Sequence, residues 1–287
     1  MPKRQGVVMN AIALIVAAML LVLAPAPART QTNQVTVLKK NQVRILLVHP
    51  SNPEHQSIHA LLRERRLLEK LVGLLAFIRF PKLLLLKVDG CQGTANAWYE
   101  PSERTVTVCY EYIEDVRRHA PTETTPEGVR PEDAILGPTI EVFLHEVAHA
   151  IFDLLNVPVL GREEDAADLV AAYVMLRLRK EDARRAVAGT VHMYSNVARS
   201  HTPELQDFAD VHGLPAQRLF NLMCVAYGAD PKLFGYVVEH GHLPEKRADG
   251  CADEFQQLDH AVKKLIVPHV DWARVSRVLT TRWLAKR

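Results

Sequence analysis

Apolar positions along this chain follow three patterns: continuous runs, period-two alternation, and the three-to-four spacing of helices. The first run, Val7–Leu23, is broken only by Asn10, with Lys3 and Arg4 before it and Ala24-Pro25-Ala26-Pro27-Ala28 after it. A basic start, an apolar run and small residues at cleavage spacing predict a signal peptide over residues 1–28. The rival reading is an uncleaved anchor, since the run is near the lower limit for a membrane span. Val43–Val48 and Leu83–Val88 read as strands. Between them, Ile58, Leu61, Leu62, Leu68, Leu71, Val72 and Leu75 recur at helical spacing and predict a helix over His55–Ile78. Its outer face takes Arg63, Glu64, Arg65, Arg66 and Glu69. His55 and His59 share a face without a carboxylate companion, so a solvated face is expected there rather than a second metal site.

Ala95–Tyr99 and Thr105–Tyr110 predict a hairpin turning at Pro101-Ser102, the second arm alternating Thr and Val. Trp98 and Tyr99 are assigned to strand packing. Glu111–His119 reads as a short helix, and Ala120–Arg130, with two prolines and a glycine, as an exposed loop. Thr139–Asn156 is apolar on nearly every side, which predicts a buried helix. A second apolar run reaches Leu178. Ala186–Ala198, Leu214–Tyr227, Glu254–Leu265 and Val270–Leu284 read as further helices. The stretch between Cys224 and Cys251 reads as loop-rich, with His240 and His242 in loops.

The 287 residues, 48% of them hydrophobic, suit one domain over 29–287 after processing. Its parts are 43–120 (helix and hairpin), 139–180 (two apolar helices) and 186–287 (helical). A net charge of +2 gives no strong pull toward nucleic acid or an anionic membrane. Membrane contact is expected only if the N-terminal segment stays uncleaved. Export places the mature chain in a secreted or periplasmic, oxidising compartment. Four cysteines allow three pairings. The hairpin brings Cys91 and Cys109 to one open end, and Cys224–Cys251 completes the local pairing; free buried thiols are the alternative.

The buried helix spells His145-Glu146-Val147-Ala148-His149. Two histidines four apart on one face can reach one metal ion, and Glu146 projects beside them as a base. Two core histidines with local hydrogen bonds are the plain alternative. Glu164 and Asp168 then fall four apart on the next apolar helix, and Asp168 is the one charge within its run. Two carboxylates beside a buried His-Glu-His helix call for a cation. A catalytic zinc takes three protein ligands and keeps a fourth position open. His145, His149 and Glu164 fill the three places, and Asp168 orients a ligand histidine through its second nitrogen. Glu163 is the rival third ligand, but it lacks an i+4 carboxylate partner.

HEVAHAIFDLLNVPVLGREEDAADLVA resembles a metallopeptidase family first catalogued as a domain of unknown function, DUF4344. The Glu-x-x-x-Asp spacing is also similar to that of gluzincin peptidases. The DUF4344 resemblance continues upstream in CQGTANAWYEPSERTVTVCYEYI and downstream in DVHGLPAQRLFNLMCVAYGADPKLF and LPEKRADGCADEF, from about Leu85 to Val270. It implies an α+β, zincin-like fold, mainly helical, with a small antiparallel sheet or hairpin beside the active helix. It implies peptide-bond hydrolysis on a peptide or protein substrate with Zn2+ as cofactor. In folds of that kind the edge strand beside the active helix binds extended peptide, and Thr94–Tyr99 is the candidate. The resemblance places His212, backed by Asp207 or Asp210, as oxyanion donor; a surface histidine is the alternative. Arg218, on the Leu214–Tyr227 helix, is either a partner for a site carboxylate or a surface arginine. A non-catalytic binding or structural protein, or an inactive peptidase scaffold, is the competing reading.

Overall fold

In the computed structural model, which describes residues 42–200, 202–271 and 283–284, helices dominate and one four-stranded sheet lies beside them. Two expectations fall on other residues: the signal peptide over 1–28 entirely, and the closing helix Val270–Leu284 except at its ends.

The strands are β1 (Val43–Leu47), β2 (Leu84–Asp89), β3 (Ala97–Glu100) and β4 (Thr105–Cys109), in spatial order β1-β2-β4-β3. The expected hairpin is β3–β4, antiparallel, with Trp98 opposite Thr107. The rest of the sheet departs from the antiparallel expectation. β1–β2 and β2–β4 are both parallel, so the sheet is mixed. Parallel neighbours need a crossover, and the helical stretch between β1 and β2 supplies it. β2 buries Leu84, Leu86 and Val88 and turns Leu85, Lys87 and Asp89 the other way, with the period of two a strand imposes. Trp98 is exposed rather than packed in the core, while Tyr99 is half-buried.

The expected helix over His55–Ile78 is two helices, α1 (Gln56–Arg65) and α2 (Leu67–Leu75), broken at Arg66, whose φ is +50°. In one straight helix Leu62 and Leu67 would point about 140° apart. The break lets both reach the same core. It also turns inward residues expected on the outer face. Arg65 is buried and pairs with Glu132. His55 and His59 are buried, not solvated, and both approach the Tyr110 ring.

α3 (Tyr110–Arg118) leads through the loop to α4 (Pro131–Leu154), which begins two turns before the expected Thr139. Pro138 reads as a stop, but the helix runs through it and starts on Pro131, at a first-turn position that suits proline. α4 is the one described helix long and apolar enough to cross a membrane, and its burial makes it the core helix. It packs on α3, on β3 and β4, and on α5 (Glu163–Met175) and α6 (Lys180–Ser200). Its crossing with α6 is unusually close. A Cβ on Gly137 would lie 2.4 Å from the Ala186 carbonyl oxygen, and one on Gly189 would lie 2.0 Å from that of Asp133.

α7 (Pro215–Ala229) and α8 (Cys251–Leu265) complete the helical layer. The loop-rich stretch between them holds three single-turn helices, and His240 and His242 are exposed in its turns. Both expected disulfides form. Cys91–Cys109 ties the loop after β2 to the end of β4, and Cys224–Cys251 ties α7 to the first residue of α8.

Candidate metal centre

α4 is apolar on nearly every side, and in its middle Glu141, His145 and Glu146 are buried while His149 is nearly so. His145 and His149, one turn apart, direct their rings to the same side, with centroids 5.0 Å apart. Opposite them is the first turn of α5, set by the turn through Gly161 (φ +98°). There Glu164 Oε2 lies 3.0 Å from His145 Nε2 and 3.3 Å from His149 Nε2, and the two Nε2 atoms are 3.3 Å apart. Ligand atoms about 2.0–2.1 Å from a tetrahedral ion are spaced about 3.3–3.4 Å from one another. The two nitrogens and one oxygen therefore fit a single small divalent ion.

The second nitrogen of each ring is also engaged. Asp168 Oδ1 is 2.8 Å from His145 Nδ1, and Glu163 Oε1 is 2.7 Å from His149 Nδ1. Both imidazoles are thereby oriented with Nε2 toward the shared point. Asp168 stands where the spacing on α5 places it. Glu163, the rival third ligand, lies instead behind His149. Its position about 100° around the helix from Glu164 was the available signal for that placement.

The electrostatics mark a place that attracts positive charge. Burial works against a charged His145, but the hydrogen bonds to Asp168 and Glu164 outweigh it and push its pKa up to about 10. The His145 hydrogen bond holds Glu164 at about 2. Burial alone would raise Asp168; His145 and the Arg218 guanidinium bring it down to about 2. Glu146 is buried beside the cluster, and that burial pushes its carboxyl above the usual range although both histidines oppose the shift. Edge strand β3 packs directly against α4, the helix that carries Glu146. The Tyr99 hydroxyl donates to Asp153 on α4 (2.7 Å).

His212 lies on the connection between α6 and α7, half exposed, with Nε2 2.9 Å from Glu164 Oε2 and its ring stacked toward His145. Asp210 is its partner, through the ring Nδ1 (3.1 Å) and the backbone N–H (2.8 Å). Asp207 instead caps the short 3-10 turn before it. A cavity of about 670 Å³ opens beside His212 and Arg218, walled by Tyr112, Met193 and Tyr194. Two groups at the centre carry no local sequence signal. Glu141, one turn before His145, is buried, and that burial raises its carboxyl. Tyr194 on α6 donates to it (3.2 Å).

Residues 48–266 match the family model of DUF4344, described as "Putative metallopeptidase". The match begins upstream of the segments that carry the sequence resemblance and takes in β2 and the α1–α2 pair. No curated protein and no solved structure is significantly similar to the chain.

Proposed function

The chain belongs to the DUF4344 family, and from that membership we propose that it is an exported zinc peptidase hydrolysing peptide bonds in a peptide or protein substrate. One observation carries the reading: two imidazole nitrogens and a carboxylate oxygen converge within 3.3 Å of one another beside a buried glutamate. Two nitrogens and one oxygen are a donor set typical of catalytic zinc.

His145, His149 and Glu164 hold the ion, with Asp168 and Glu163 fixing the two rings. Bound zinc supplies Lewis-acid polarisation of the scissile carbonyl and brings the pKa of a coordinated water toward neutrality. Glu146 takes the proton of the attacking water and passes it to the leaving amine. A raised carboxyl pKa suits this role, since the group must both accept a proton and release it. His212, held by Asp210, turns its Nε2 from Glu164 to the developing oxyanion. Of the expected substrate-binding segment Thr94–Tyr99, only Ala97–Tyr99 lies on the edge strand β3, and it pairs with an extended substrate backbone. The two disulfides support an oxidising compartment, and the N-terminal pattern over residues 1–28 supports export to it.

The test joins metal analysis of the purified mature protein to an unbiased peptide library. The expected result is about one zinc per chain and peptide cleavage that drops about 10²–10⁴-fold in Glu146→Gln while zinc stays bound. Equal cleavage by Glu146→Gln with zinc in place would overturn the mechanism. Zinc binding with no cleavage of any peptide would favour a structural metal.

A further inference from the structure

Asp168 is fixed by Arg218. The guanidinium of Arg218, on α7, donates from Nε to Asp168 Oδ2 (2.8 Å) and from its terminal nitrogen to Asp168 Oδ1 (2.6 Å), a bidentate fork. The same terminal nitrogen is 3.7 Å from Glu141 Oε1, and the guanidinium lies 4.9 Å over the Tyr194 ring. Glu141 belongs to α4, Asp168 to α5, Tyr194 to α6 and Arg218 to α7, so one side chain joins all four helices around the centre. Six residues further along α7, Cys224 bonds to Cys251 and holds this helix against α8.

We propose that Arg218 is a positioning residue that sets how tightly the centre holds its metal, acting through Asp168 on the orientation of His145. The inference rests on the zinc reading above. Oδ1 of Asp168 faces both Arg218 and His145 Nδ1. A carboxylate gripped at both oxygens cannot rotate, and neither can the imidazole it orients. The rival account makes Arg218 a simple counter-charge, and the two accounts predict opposite signs. Removing a positive charge from beside a cation site strengthens cation binding by Coulomb attraction alone. Removing a positioning group weakens it, by about 10–100-fold for groups that orient metal ligands. Lysine separates the accounts further, because it keeps the charge and loses the fork.

The experiment measures zinc dissociation constants of the mature, disulfide-bonded chain by competition with a chelator. Its variants are Arg218→Lys, Arg218→Ala and Asp168→Asn, with Arg218→Lys also made in the Asp168→Asn background. The expected result is weakening by about 10-fold in Arg218→Lys and at least as much in Arg218→Ala, with Arg218→Lys adding little once Asp168 is asparagine. Tighter zinc in Arg218→Ala, or unchanged zinc in Arg218→Lys, overturns the proposal. So does an undiminished Arg218→Lys effect in the Asp168→Asn background, or an Arg218→Lys chain that does not fold, since either makes Arg218 a packing residue. A wild-type chain that binds no zinc refutes the function itself, whereas a zinc-binding wild type with indifferent Arg218 variants refutes only this inference.

Discussion

Glu163 and Glu164 are the same side chain on adjacent residues, and about 100° of helix separates their tasks. Glu164 faces both Nε2 atoms, while Glu163 reaches only the far nitrogen of His149. Glu164→Ala should therefore leave two protein ligands and a chain that loses its zinc on dialysis. Glu163→Ala should retain zinc with affinity reduced about 10-fold. Metal content after dialysis and chelator competition distinguish the two. The histidine pair and Asp168 were legible in the sequence because a charge inside an apolar helical run has to be explained by a partner. Arg218 was legible as a candidate partner for a site carboxylate, which the structure shows to be Asp168; Glu141 and Tyr194 were not legible. Glu141 alone looks like one acid at a helix start, and its meaning depends on residues 53 and 77 positions away.

At the scale of elements, local periodicity identified the strands and helices, and nonlocal packing decided where they break and how they pair. The hairpin was legible because both arms and their turn are contiguous. The parallel pairing of β2 with β4 was not, because no contiguous pattern distinguishes a central strand from an edge. The split at Arg66 arises from the demand that Leu62 and Leu67 share one core. One carboxylate on α3 holds the approach to the hairpin. Glu111 accepts the backbone N–H of Cys91 (2.9 Å) and of Gly93 (3.0 Å). Burial pushes its pKa up, but backbone N–H donors, those of Gly93 and Cys91 foremost, together with His55 outweigh burial and hold it below the ordinary glutamate value. Its folded pKa is thus below its unfolded one, so the stabilisation is present above the unfolded value and is lost as pH falls through the folded value. Glu111→Gln should lower stability to urea by about 1 kcal/mol at neutral pH, after allowance for solvent screening. The gap from wild type should close as pH falls through the lowered folded-state pKa of Glu111. A gap that persists in acid would mean that the carboxylate charge is not what holds the loop.

For the whole molecule, the centre joins elements far apart in the chain, so metal and fold are linked. The proposed ligands and the carboxylates behind them come from α4 and α5, and Tyr194 and Arg218 brace them from α6 and α7. A ligand that binds only the folded chain stabilises it by about 2.7 kcal/mol at a hundredfold excess over its dissociation constant. For a domain of this size that is a shift in Tm of about 5–10 °C. Chelation should lower Tm by roughly that amount, zinc should restore it, and Glu164→Ala should be insensitive to both. Calorimetry with and without chelator makes the comparison.

The glycine crossing of α4 and α6 has a consequence for motion. Gly137 and Gly189 bring the two backbones so close that neither helix can roll or slide against the other without collision. The wall that carries the proposed metal ligands is therefore the stationary one. His212 belongs to the other wall, on a stretch whose Leu205, Phe208 and Val211 are turned to solvent. If the cleft breathes around a substrate, that wall is the jaw that moves, and it carries the proposed oxyanion donor while the proposed metal site stays where it is. Amide hydrogen exchange should accordingly be fast over 203–213 and slow across the α4–α6 crossing. Substitutions such as Phe208→Ser should change turnover while leaving the zinc dissociation constant unchanged, so that in this protein binding the metal and using it can be tuned apart.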